Sequence, residues 1–154
     1  MTPIELVKEL AEELRKVTGE LYFEDENTKP VKMNVFEFSL PYQKYDDEEE
    51  PFPYIVVTLD SGSASQEMAE NVADVTLYIG IRKADEMNDG KRHVLGVMQR
   101  ITERFEKNNM LKCFRQIGKI SWALDSEDAY PYYFGGMSMK FQIFKIEREE
   151  SIYA

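Results

Sequence analysis

Residues Tyr130-Pro131-Tyr132-Tyr133-Phe134-Gly135-Gly136 run directly into Met137-Ser138-Met139-Lys140-Phe141-Gln142-Ile143. Met137, Met139, Phe141 and Ile143 fall on alternate positions, the period at which a strand presents one face. The two glycines ahead of them mark a place where backbone can bend or be closely approached. Phe144 and Ile146 break the alternation, which predicts burial on both faces or a bulge near the end of a strand over 133–147.

Working outward, Ala73 to Ile81 alternates in the same way. Val75, Leu77, Ile79 and Ile81 share one face, and Thr76, Tyr78 and Gly80 take the other. Tyr54 to Leu59 is rich in β-branched residues and reads as an interior strand. These two segments suit a long hairpin, with the polar stretch Asp60 to Asn71 as its loop and one helical turn begun by Ser63. Cys113 to Leu124 reads as a further strand whose inward parity shifts at Gly118, as a bulge would produce. Phe36, Phe38 and Leu40 alternate with Val35, Glu37 and Ser39, predicting a half-buried strand that Pro41 closes.

Two segments carry helical spacing instead. Thr2-Pro3-Ile4-Glu5 combines a capping threonine, proline in the first turn and the acid of a capping box. Ile4, Leu6, Val7, Leu10, Leu14 and Val17 then form one stripe, and Gly19 is placed to stop the helix. Asn88-Asp89-Gly90 is turn chemistry opening a helix to about Lys107, with Val94, Val97, Met98, Ile101 and Phe105 as its buried stripe. Asn108 and Asn109 are placed to end it. The order helix, three strands, helix, two strands lacks the βαβ alternation of a doubly wound fold. It predicts an α+β fold, a mainly antiparallel β-sheet with two α-helices packed on one side.

At 154 residues with no internal repeat or linker, the chain reads as a single domain over 1–154, with the charged residues 147–154 as a flexible tail. No apolar run reaches the ~18 residues of a membrane span, and the acidic amphipathic start is unlike a secretory signal. The lone cysteine, Cys113, excludes an intrachain disulfide and a multi-cysteine metal site, and fits a reducing cytoplasm. A net charge of −10 disfavours general attraction to nucleic-acid phosphate. Asp46 to Glu50, followed by Pro51-Phe52-Pro53, reads as an exposed acidic loop without the ligand spacing or glycine of an EF-hand.

Catalytic constellations are hard to find. His93 is the only histidine, in the first turn of the second helix, and no nucleophile-elbow motif accompanies it. Gly135-Gly136 precedes a strand, whereas phosphate cradles open a helix. Neither a metal nor a cofactor is called for, and the expectation is a non-enzymatic protein. Tyr130, Tyr132, Tyr133 and Phe134 fit core packing or a subunit interface; Glu127 and Asp128 beside them oppose base stacking.

The strand Pro53-Tyr54-Ile55-Val56-Val57-Thr58-Leu59, a following acidic loop, the strand Val75-Thr76-Leu77-Tyr78-Ile79-Gly80, a helix from Asp89-Gly90 and the Tyr130–Gly136 run form a familiar succession. Over roughly residues 50 to 146 it resembles the tail terminator proteins of tailed bacteriophages and prophages, also called tail-completion or head–tail joining proteins. The resemblance implies a ring, commonly a hexamer, that caps the tail tube and offers a docking face to the head–tail connector. It implies that DNA passes through without specific binding, in the virion tail after assembly in the host cytoplasm, with no membrane partner. A ring needs two different contact surfaces on each subunit. Tyr130, Tyr132, Tyr133 and Phe134, with Asp60, Ser61 and Ser63 of the polar loop, are the interface candidates. A small cytoplasmic adaptor domain whose aromatic patch holds a protein partner is the competing expectation.

Overall fold

The computed structural model describes residues 2–24, 29–41, 50–65, 70–84, 89–127 and 129–144. Helix α1 (Pro3–Val17) starts as its capping box requires. Thr2 Oγ1 accepts from the Glu5 amide at 3.2 Å, and the Thr2 amide donates to Glu5 Oε2 at 3.3 Å. Leu6, Val7, Leu10, Ala11 and Leu14 are buried, while Ile4, expected in the stripe, is 69% exposed. Thr18 ends the helix, its hydroxyl bonded to the Leu14 carbonyl at 2.8 Å.

Two short strands, β1 (Phe23–Glu24) and β2 (Pro30–Val31), pair antiparallel beside the main sheet. The sheet contains β3 (Asn34–Glu37), β4 (Tyr54–Ser63), β5 (Glu70–Arg82), β6 (Phe114–Leu124) and β7 (Tyr132–Phe144) in the spatial order β3-β4-β5-β7-β6. Every pairing is antiparallel except β3 with β4. Helix α2 (Gly90–Lys107) connects the central strand β5 to the edge strand β6, and the chain then turns back to place β7 between them.

One hydrophobic core lies between the two helices and one face of the sheet. Ile55 and Val57 of β4, Val75 to Ile81 at alternate positions of β5, and Met137, Met139, Phe141 and Ile143 of β7 point into it. Val94, Val97, Met98, Ile101 and Phe105 of α2 close it from above, with the Phe105 and Phe141 rings edge to face at 5.6 Å. Arg104 joins the helices: its Nε donates to Glu13 Oε1 at 2.6 Å, and its other nitrogens bond the carbonyls of Asn108 and Met110. Cys113 lies just outside β6, half-buried against the core.

Three sequence expectations are corrected. Asp60 to Ser63 and Glu70-Asn71 are strand, not loop, because the β4–β5 ladder continues past an irregularity between Leu59 and Ser61. The helical turn expected to begin at Ser63 does not start there, since Ser63 is the last residue of β4; residues 66–69 lie outside the described residues. In β3 the buried residue is Val35, whereas Phe38 and Leu40 are 46% and 38% exposed. Parallel pairing with β4 sets this parity, and the strand ends at Glu37, before Phe38 takes a φ of 69°. The bulge expected at Gly118 is present: its φ is 67°, and the β6–β7 register shifts between Ile117 and Ser121. Asp46 to Glu49 of the acidic run, the end of the expected last strand and the expected tail over 147–154 lie outside the described residues.

Candidate interface surfaces

The sheet face away from the helices carries a second, smaller cluster at one end. Cross-strand registers align Asn34, Tyr54, Gly80 and Phe134 in one row and Phe36, Val56, Tyr78 and Gly136 in the next. Phe52 lies over the first row, its ring centroid 5.1 Å from Tyr54, 5.0 Å from Tyr132 and 6.0 Å from Phe134. Tilted contacts at such distances are favourable arrangements for aromatic quadrupoles. Tyr54 and Val56 are thereby buried on a face otherwise open. Burial pushes the Tyr54 phenol above its ordinary pKa.

Polar groups hold the rim of this cluster. The Tyr132 hydroxyl donates to Glu50 Oε1 at 2.7 Å, and Glu50 Oε2 lies 3.8 Å from Arg82 Nε. The hydrogen bond to the Glu50 carboxylate, aided by desolvation and the carboxylate charge, raises the Tyr132 pKa against the opposing pull of Arg82. Tyr130 and Tyr78 stay 53% and 51% exposed beside these residues.

The expected interface residues therefore separate by environment. Tyr130 is exposed, Tyr132 and Phe134 belong to the half-buried cluster, and Tyr133 points the other way into the core against Gly90. Strand alternation dictates this split, since consecutive residues of β7 face opposite sides. Phe52, Glu50 and Arg82 carried no strong sequence signal. Phe52 between two prolines was read as loop, and only its placement over Tyr54 gives it a role.

Asp60, Ser61 and Ser63 are exposed near the far end of the β4–β5 ladder. Ser61 Oγ donates to Asp74 Oδ2 at 2.9 Å, the Thr76 hydroxyl donates to Asp60, and Lys140 Nζ approaches Asp74 at 3.9 Å. Register places Ser63 and Val72 level with Gln142 of β7. That position is ten residues along the strand from Tyr132, roughly 33 Å at strand rise. The aromatic surface and the acid-and-hydroxyl surface thus occupy opposite ends of one sheet.

Elsewhere, a groove of about 200 Å³ is lined by Glu9, Glu12, Glu13, Lys16, Arg104 and Met110 to Lys112. His93 Nε2 is 3.7 Å from Asp89 Oδ2, with its ring edge-on to Phe23. Among the described residues no group of three or more His, Cys, Asp or Glu side chains is arranged to hold a metal ion. No described helix is long and apolar enough to cross a membrane. Comparison with protein-family models gives no match for this chain, and comparison with curated proteins gives none.

Proposed function

We propose that this protein is a non-catalytic, ring-forming component of a bacteriophage or prophage tail, which caps the tail tube and joins it to the head. The observation that carries the reading is the placement of two unlike surfaces at opposite ends of a continuous sheet. The aromatic end presents Tyr130, Tyr132, Phe134 and Tyr78, and the other end presents Asp60, Ser61 and Ser63. Unlike surfaces on one subunit favour head-to-tail contacts, which close into a ring when the rotation per subunit permits. The β5–β7 pairing, thirteen residues long, fixes their separation. The resemblance over residues 50 to 146 supplies the biological setting: the tube protein and the head–tail connector as partners, first in the host cytoplasm and then in the virion tail. A net charge of −10 per subunit suits a channel through which DNA passes without binding.

The test is tail completion. Purified protein is added to tails that lack their head-proximal cap, and head joining is scored. The expected result is that joining is restored, and that Tyr130→Ala or Asp60→Arg lowers it while the fold, checked by circular dichroism, is kept. Folded protein that restores no joining refutes the proposal. The half-buried aromatic cluster, with Tyr78 and Tyr130 exposed beside it, also favours a second reading as a protein-binding adaptor. That reading predicts a host protein captured by the wild type and lost with Tyr130→Ala, with no effect on tails.

A further inference from the structure

The sheet has two edges, and they are treated differently. At the β3 edge the Val35 carbonyl, which points away from β4, accepts the Arg15 guanidinium at 2.8 Å. At the β6 edge the first residues are also covered. The Gln116 amide donates to the Asn109 carbonyl at 2.7 Å, and Asn109 Nδ2 returns a bond to the Gln116 carbonyl at 3.2 Å. The carbonyls of Ile117 and Gly118 at the bulge accept from Gln116 Nε2. From the bulge to Leu124, with regular pairing to β7 resumed at Ser121, no strand among the described residues pairs with the outer side of β6.

The open stretch has a defined polarity. The Asp125 amide donates inward to the Phe134 carbonyl at 3.0 Å. Bonding direction alternates along an antiparallel ladder, so Ala123 and Ser121 also face β7. Trp122 and Leu124 therefore direct their amides and carbonyls outward, while Ile120 lies within the irregularity between Ile117 and Ser121. Trp122 at the centre of this run is 57% exposed, an unusual state for the residue with the largest apolar surface. Exposed edges of this kind are normally guarded, and here the guards, the bulge and Lys119, stand at one end and leave Ser121 to Leu124 uncovered.

The charges name the occupant. Lys119 lies three residues before Trp122 and Asp125 three residues after it, and both side chains are exposed. Laid antiparallel against itself about Trp122, the segment places Lys119 of each copy opposite Asp125 of the other. The same register sets Trp122 opposite Trp122, where outward groups meet outward groups, and brings Ile120 opposite the outward-facing Leu124. A shift by one residue would bring outward groups against inward ones. Asp125 Oδ1 already accepts from the Glu127 amide at 3.0 Å, which holds the carboxylate at the strand end.

We infer that two copies of this protein pair through residues Lys119 to Asp125 of β6, forming an antiparallel two-fold dimer with a continuous sheet across the contact. Such a contact is isologous and stops at two. It uses neither surface of the ring reading, so each stands or falls without the other.

The experiment is sedimentation velocity on the full chain over about a hundredfold concentration range, with tryptophan emission recorded in parallel. Trp122 is the only tryptophan, so the emission reports the surroundings of this edge. The expected result is a monomer–dimer equilibrium whose dimer fraction rises in step with a blue shift. Lys119→Asp and Asp125→Lys, each alone, set like charges opposite one another and weaken the dimer about tenfold. The two together restore it. Four results overturn the inference: a monomer throughout, a higher oligomer whose mass neither single variant lowers, a mass change without an emission shift, or a double variant no tighter than the singles. Both changed side chains are exposed, and circular dichroism separates loss of pairing from loss of fold.

Discussion

The ring of Tyr54 occupies the space above Gly80 that a side chain there would fill. A Cβ at Gly80 would lie 2.7 Å from the Tyr54 hydroxyl oxygen and closer still to the ring carbons. The two residues are direct cross-strand partners in the β4–β5 ladder, so the glycine is a seat for the tyrosine. Phe52 then packs at a tilt against that ring, and the aromatic end of the sheet is built upward from a missing methyl group.

Gly80→Ala is expected to lower stability by about 1–3 kcal/mol, the usual range for overpacking. Urea denaturation measures it. With Tyr54→Ala in the background the alanine has room, and its cost falls to near zero. The coupling between the two sites in a double-mutant cycle is the quantity to read.

Gly90 plays the same part on the other face, where an added Cβ would enter the ring of buried Tyr133. In an exposed helix, alanine exceeds glycine in helix propensity by about 1 kcal/mol. Here Gly90→Ala is expected to lower the melting temperature despite that preference. Gly118→Ala meets open space but keeps a φ of 67°, so its penalty is backbone strain alone, about 1 kcal/mol.

Arg104 ties the end of α2 to α1 and to the turn before β6. Arg104→Ala removes all these bonds and leaves the half-buried Glu13 carboxylate without its guanidinium, with an expected loss of about 2 kcal/mol. Glu13→Gln keeps an acceptor for Nε and is expected to lose less than half of that. Thermal unfolding of the two variants at neutral pH gives the ratio.

The Tyr132 phenol titrates above its ordinary value of 10.0 in the folded protein, first because of its hydrogen bond to Glu50. A raised pKa means that the fold favours the protonated form. Its contribution to stability is therefore complete below about pH 10 and is lost as pH rises through the folded value. Tyr132→Phe is expected to remove at most about 1 kcal/mol at pH 7 and to flatten the alkaline loss of stability. Tyr54, raised by burial, leaves part of that loss in place. Denaturant midpoints from neutral to strongly alkaline pH distinguish the two tyrosines.

Alternation and helical stripes were legible without any tertiary information. Val75 to Ile81, Met137 to Ile143 and the Val94 to Phe105 stripe all face the core as their spacing predicts, because side-chain direction follows from backbone geometry within each element. The same reasoning misplaced the inward face of β3 and cut β4 short at Leu59. Phe36 and Phe38 are apolar, but parallel pairing with β4 turns Val35 inward instead. Asp60 and Ser61 are polar, but ladder bonds to β5 continue through them regardless of hydropathy.

The candidate surfaces were half visible. The chain itself determined that aromatic residues gather beside Gly135 and Gly136, and that consecutive members of that run must face opposite ways. Only the folded arrangement decided that Tyr133 enters the core, that Phe52 covers Tyr54, and that Asp60 and Ser63 stand a sheet's length from Tyr132. It also decided which stretch of edge is left open around Trp122. Periodicity is a property of neighbouring residues, whereas strand order, register and the fit of a ring over a glycine depend on contacts between segments far apart in the chain, which no local pattern records.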